Sequence, residues 1–133
     1  MMEENEWSHK IIGACIEVHR ALGPGLLESV YQECLAREFS LQNIPFEKEV
    51  SKPISYKGEL TKCGLRLDFL VDSQVIVELK AVETLLPVHK AQVITYLKLT
   101  SCKLGLLVNF NVPILKNGIE RIVLDLKFLE IFR

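Results

Sequence analysis

Gly64-Leu-Arg-Leu-Asp68-Phe-Leu-Val-Asp72-Ser-Gln-Val-Ile-Val-Glu78-Leu-Lys80 reads as two β-strands joined by a tight turn. Segments 66–71 and 75–80 are rich in Val, Ile, Leu and Phe, and Asp72-Ser73-Gln74 supplies the turn chemistry between them. A loop centred on Ser73 sets Val71 opposite Val75, Phe69 opposite Val77 and Leu67 opposite Leu79. One face is then wholly apolar, as a period of two requires. The same register sets Asp68 opposite Glu78, their Cβ atoms roughly 4.5–5.5 Å apart, with Lys80 on their face. A slip of one residue would bring Leu79 opposite Asp68 and mix the faces. The apolar pattern therefore selects the pairing that gathers two carboxylates and an amine on one spot.

The rest of the composition is that of an ordinary folded chain. With 133 residues, 49% hydrophobic and 25% charged, the expectation is one domain over 1–133 that buries roughly two-thirds of its unfolded surface. No apolar run approaches the roughly 20 residues needed to cross a bilayer, and the acidic start, Met1-Met-Glu-Glu-Asn-Glu6, lacks a secretory apolar segment. Cys15, Cys34, Cys63 and Cys102 are scattered without paired spacing, which predicts reduced thiols in a cytoplasmic protein, not a zinc knuckle or disulfide framework. Sixteen basic residues face seventeen acidic ones, so any contact with a polyanion must rest on a local patch.

Along the chain, Ser8 is placed to cap a helix running to about Leu22, stopped by Gly23-Pro24-Gly25. A second helix, about Leu27 to Gln42, carries a stripe of Val30, Tyr31, Cys34, Leu35 and Phe39, and Asn43-Ile44-Pro45 stops it. Strand segments Phe46–Val50 and Ile54–Tyr56 are interrupted by Pro53, the mark of an edge or bent strand. After the hairpin, Pro87 opens a third helix to about Thr100. Leu104–Phe110 is apolar enough for a central strand, and Asn117-Gly118 turns the chain into a last strand, Ile119–Leu124. The tail from Leu124 to Arg133 alternates toward a strand, packed on the core or at a dimer contact.

Two carboxylates as close as Asp68 and Glu78 repel when both are ionised, and a divalent cation between them relieves the conflict. Such a cation, Mg²⁺ or Mn²⁺, is what phosphodiester hydrolysis uses to activate water and clamp the phosphate. Lys80 is placed to orient that water or neutralise charge growing on the phosphate. The competing structural reading has Glu78 and Lys80 facing solvent on a sheet edge, with Asp68 paired to Arg66.

The hairpin resembles the core motif of the PD-(D/E)XK nuclease superfamily, an Asp on one strand and Glu-x-Lys on the next. More narrowly, Gly25-Leu-Leu-Glu28-Ser-Val-Tyr31 is similar to the signature of the small GxxExxY proteins, and the likeness runs from Ile11 to Phe110. The resemblance implies a restriction-endonuclease-like α/β fold, an αβββαβ core with a central mixed sheet flanked by helices. It implies Asp68 and Glu78 as metal ligands, Lys80 as the catalytic lysine, and Glu28 as a further acid brought to a Mg²⁺ or Mn²⁺ ion from the second helix. Tyr31, at i+3 from Glu28, can share its cleft, although a core aromatic with its hydroxyl at the rim is its commoner role. For Glu28 the competing role is a first-turn acid favourable to the helix dipole. Gln92 and Tyr96 resemble the Gln-x-x-x-Tyr motif of the RecB-like branch, and their spacing of four sets them on one helix face, able to meet a DNA backbone. Arg66 belongs to a candidate basic rim with Lys48, Lys52, Lys62 and Lys90, among others. The sequence departs from the superfamily motif in one respect: Leu67 stands where the proline before the aspartate would be.

The expected function is hydrolysis of nucleic-acid phosphodiester bonds, DNA before RNA, with no membrane role. The alternative is a catalytically silent nuclease-fold module that binds nucleic acid or a protein partner. No helix-turn-helix or basic arm is recognisable, so specificity would come from a homodimer, a partner protein, or the loops around Pro53 and Gly118.

Overall fold

The computed structural model describes residues 2–124. Helices α1 (Glu4–Leu22) and α2 (Glu28–Leu41) precede strands β1 (Phe46–Tyr56), β2 (Glu59–Val71) and β3 (Val75–Lys80). Helix α3 (Pro87–Thr100) leads to β4 (Leu104–Asn109), and a 3-10 turn (Leu115–Gly118) leads to β5 (Ile119–Val123). The strands form one mixed sheet in the order β1-β2-β3-β4-β5, parallel only between β3 and β4, which α3 connects. This is the α/β architecture, a mixed sheet flanked by helices, that the resemblance implies.

Helices cover both faces of the sheet. Trp7, Ile11, Tyr31, Leu35 and Phe39 of α1 and α2 pack on Phe69, Val77, Leu79, Leu106 and Val108. Val93 and Leu97 of α3 pack on Leu70, Ile76 and Leu107 from the other side. Burying both faces makes β3 and β4 apolar throughout, with one interior exception, Glu78. Gly105 lets α3 sit close, since a Cβ there would lie 2.6 Å from Val93 Cγ1.

Three local expectations change. Helix α1 begins four residues before Ser8, which is buried within it; Glu3 is the cap, and Glu4 and Glu6 in the first turn suit the helix dipole. Trp7 anchors this extra turn by donating from Nε1 to Asp72 Oδ2 at 2.9 Å. β1 is one continuous edge strand, its register shifting between Pro53 and Ser55. β2 begins at Glu59, earlier than its apolar part suggests, because its first half pairs with β1 alone. Leu124 packs beside the α3 cluster, its N–H bonded to Lys103 O at 3.0 Å. The rest of the expected C-terminal strand lies outside the described residues.

Candidate active site

The predicted hairpin register holds for Val71↔Val75, Leu70↔Ile76 and Phe69↔Val77, and the β2–β3 ladder then stops. Beyond it the side chains of Asp68 and Glu78 take over the backbone bonding. Asp68 N–H donates to Glu78 Oε1 at 3.0 Å, and Leu79 N–H donates to Asp68 Oδ2 at 2.8 Å. Each carboxylate thus holds an amide of the opposite strand at the point where the strands part. Leu67 does not face Leu79 as expected: Leu79 belongs to the α1–α2 core and Leu67 to the α3 core. The β1–β2 ladder also skips the Glu49–Asp68 position, and Glu49 has φ +54°, so the ribbon rotates there and changes face.

Burial sets the electrostatics. Glu78 is only 4% exposed. Burial and the neighbouring Asp68 carboxyl push its pKa up to about 9, against smaller opposing effects of the Asp68 amide and Lys80. Glu28, in the first turn of α2, is also raised by burial and by Asp68, with Lys80 opposing. Tyr96 of α3 is raised by burial and by Glu78, and its side chain hydrogen-bonds Gln92. The acids, Lys80, and the Gln92–Tyr96 pair therefore converge from β2, β3, α2 and α3. Among the described residues, no group of three or more His, Cys, Asp or Glu forms a ready-made metal cage. Glu28 stands across from the Asp68–Glu78 pair and is not drawn into it.

A cleft of about 380 Å³ opens beside Asp68, lined by Glu28, Ser29 and Gln32 of α2 and by Glu49 and Arg66 of the β1–β2 ribbon. Arg66 does not pair with Asp68; it meets Glu49 at 3.0 Å. Tyr31 does not line the cleft. It is fully buried, stacks on Phe110 with ring centroids 4.5 Å apart, donates to Gly23 O at 2.6 Å and accepts from Leu26 N–H at 3.2 Å. Gly25 has φ +98°, so glycine makes the turn and the tyrosine hydroxyl fixes it, which delivers Glu28 to the cleft.

Three residues at the site escaped sequence reasoning. Gln32 Nε2 approaches Asp68 Oδ1 at 3.4 Å, one helical turn from Glu28; the i+4 spacing was the available signal. Glu49 reaches the cleft through a left-handed backbone that nothing in a Lys-Glu-Val context announces. Asn109, 2% exposed, is bonded to both the N–H and the carbonyl of Val82 at 3.1 and 2.9 Å, bracing the loop after Lys80. A lone polar residue ending an apolar strand was its signal. The histidines stay outside the site: His19 bonds Val112 O at 2.8 Å, and His89 Nδ1 accepts the Leu86 N–H at 2.9 Å, closing the start of α3. Lys90 pairs with Glu120 at 2.7 Å.

The sequence profile of the PD-(D/E)XK nuclease superfamily matches residues 5–122, spanning both acids, Lys80 and the helices around them. The chain belongs to this superfamily. Its members are generally hydrolytic nucleases that use divalent metals, and the observed α/β sheet is that of a PD-(D/E)XK fold. The chain is also similar to the crystal structure of SSO0001, at 25% identity and a TM-score of 0.50 over 74% of this chain. It spans 52% of that protein's length. No curated protein matches it. Asp68 stands on β2, and Glu78 and Lys80 follow on β3. No helix among the described residues is long and apolar enough to cross a membrane.

Proposed function

We propose that this chain is a metal-dependent nuclease of the GxxExxY branch, acting on DNA, and that residues 1–133 form one catalytic domain. The observation that carries the reading is the pairing of Asp68 with a buried Glu78 where β2 and β3 part, beside Lys80 and an open cleft. Two hard oxygen donors and a facing acid suit Mg²⁺ or Mn²⁺, which needs only one or two carboxylates and keeps its other positions for water and phosphate. Asp68 and Glu78 would hold the ion, with Glu28 acting on it across the cleft. When bound, the ion polarises the scissile phosphate and makes water a stronger nucleophile.

The chain's own groups do the rest. Glu78 gives up its proton as the site fills, because a cation offsets both its burial and the charge on Asp68. Lys80 presents an ammonium to the phosphate, neutralising charge that grows during displacement. Gln92 and Tyr96, bonded to each other, offer an amide and a phenol to the substrate backbone. Cleavage of plasmid and short duplex DNA with Mg²⁺ or Mn²⁺ tests the reading. Asp68→Ala and Lys80→Ala should each lower the rate by 10²-fold or more without loss of folding. A protein that cuts no DNA or RNA with either ion contradicts it.

One observation favours a catalytically silent binding module instead. Asp68 and Glu78 each accept a backbone N–H across the strands, a sufficient structural reason to keep both. On that reading, Mn²⁺ titration gives no heat, and no DNA or RNA is cut by the full chain.

A further inference from the structure

The β1–β2 ribbon leaves the body of the molecule. β2 pairs with β3 only over Phe69–Val71, so its first half is held by β1 alone. From Ser51 to Gly64 every residue but Ile54 is exposed. At about 3.3 Å per residue the free part reaches about 20 Å. It ends in a two-residue turn, Lys57-Gly58, with φ of +49° and +87°, the left-handed pair that a tight hairpin requires. An exposed two-stranded ribbon has no core of its own and is not explained by the stability of the domain.

Its charge is equally distinct. Between Ser51 and Arg66 stand Lys52, Lys57, Lys62 and Arg66 against one acid, Glu59. The remainder of the chain then holds twelve basic and sixteen acidic residues. No described carboxylate forms an ion pair with Lys52, Lys57 or Lys62. At the tip, the Lys57 ammonium lies 5.4 Å from the ring centroid of Tyr56, which is 64% exposed. The root of the ribbon, Arg66 and Glu49, lines the cleft beside Asp68.

We propose that the Ser51–Gly64 ribbon is a DNA-gripping arm that lies along a groove of the duplex and presents Lys52, Lys57 and Lys62 to its phosphates. The inference deepens the nuclease reading and rests on it for the choice of polyanion. A ribbon of two strands fits the major groove of B-form DNA, roughly 12 Å wide, whereas the major groove of A-form RNA is too narrow. Because the arm joins the body at Asp68, a duplex held by it runs past the acids. Its lysines give a nearly neutral chain the local attraction that a polyanion needs.

The test is fluorescence anisotropy with a 30-base-pair DNA duplex in EDTA, where no cleavage can occur, across a range of NaCl. The full chain is compared with its K52Q/K57Q/K62Q variant. All three positions are exposed, and circular dichroism and melting temperature verify the fold. The variant should bind at least tenfold more weakly, with a log–log salt slope shallower by about 2 to 3, one counterion per lost phosphate contact. Duplex RNA of the same length should bind the full chain less well than DNA. Equal affinity and slope for the two proteins, or equal binding of RNA and DNA duplexes, overturns the proposal. So does a change from dimer to monomer in the variant with unchanged DNA binding, which would make the ribbon a contact between copies. Failure of catalysis reads out separately: weakened binding by the variant, with no cutting by the full chain under Mg²⁺ or Mn²⁺, leaves the arm standing and removes the nuclease.

Discussion

Glu78 concentrates the physical cost of the site in one residue. A carboxyl on a central strand, nearly sealed from water and beside a second carboxyl, resists ionisation, so its pKa rises from 4.5 to about 9. The consequence for stability has a definite sign. Between pH 4.5 and 9 the unfolded chain has lost the Glu78 proton while the folded, metal-free chain retains it. The folded state then binds more protons, and stability falls as pH rises through that window. We expect the melting temperature in EDTA to drop from pH 5 to pH 8.5, and Glu78→Gln, which cannot ionise, to show a smaller drop and a higher value at pH 8.5. Equal pH slopes for the two proteins would show that Glu78 is ionised in the fold. The juxtaposition was legible before the structure because alternation in Val75-Ile-Val-Glu78 and Arg66-Leu-Asp68-Phe admits one register. That Asp68 and Glu78 bond each other's strands was not legible, since it follows from where the ladder stops.

Among the elements, the α1–α2 connection shows how three spaced letters become a position. Gly25 turns the chain, Tyr31 reaches back to clasp Gly23 and Leu26, and Glu28, between them in sequence, is set at the mouth of the cleft. Removing the clasp takes the tyrosine hydroxyl from the carbonyl of half-buried Gly23 and the amide of exposed Leu26. Tyr31→Phe should therefore cost about 1 kcal/mol and lower the melting temperature by a few degrees, measured by thermal unfolding. An unchanged melting temperature would mean that the loop holds itself. Helices and strands were readable from apolar spacing and from Pro24, Pro45 and Pro87. The start of α1 was not, because Ser8 is a good cap by type and the helix gains more by burying Trp7 a turn earlier. The role of Tyr31 was readable only as two alternatives: helical spacing shows which face it shares, not whether that face meets the core or the cleft.

Across the whole molecule, the sheet brings the acids to the place where two structures diverge: a buried five-stranded body and an exposed ribbon of two strands. The fold class was legible through the resemblance that Asp68, Glu78 and Lys80 carry, and the apolar run of β4 marked it as a central strand, which its pairing with β3 makes it. The ribbon was not, because a strand that leaves its sheet carries no core pattern; its lysines read as a scattered rim until β1 and β2 were seen to run on past Asp68. The same divergence that frees the ribbon leaves the acid pair open to the cleft, so both features depend on the break at Glu49 and Asp68. Isothermal titration of the full chain with MnCl₂ at pH 7.5 tests the acid pair most directly, in two buffers of different ionisation enthalpy. A saturable heat is expected, with proton release on binding as Glu78 ionises, and both Glu78→Gln and Asp68→Asn should abolish it. No heat from the folded protein, or the same heat from the two variants, would contradict it.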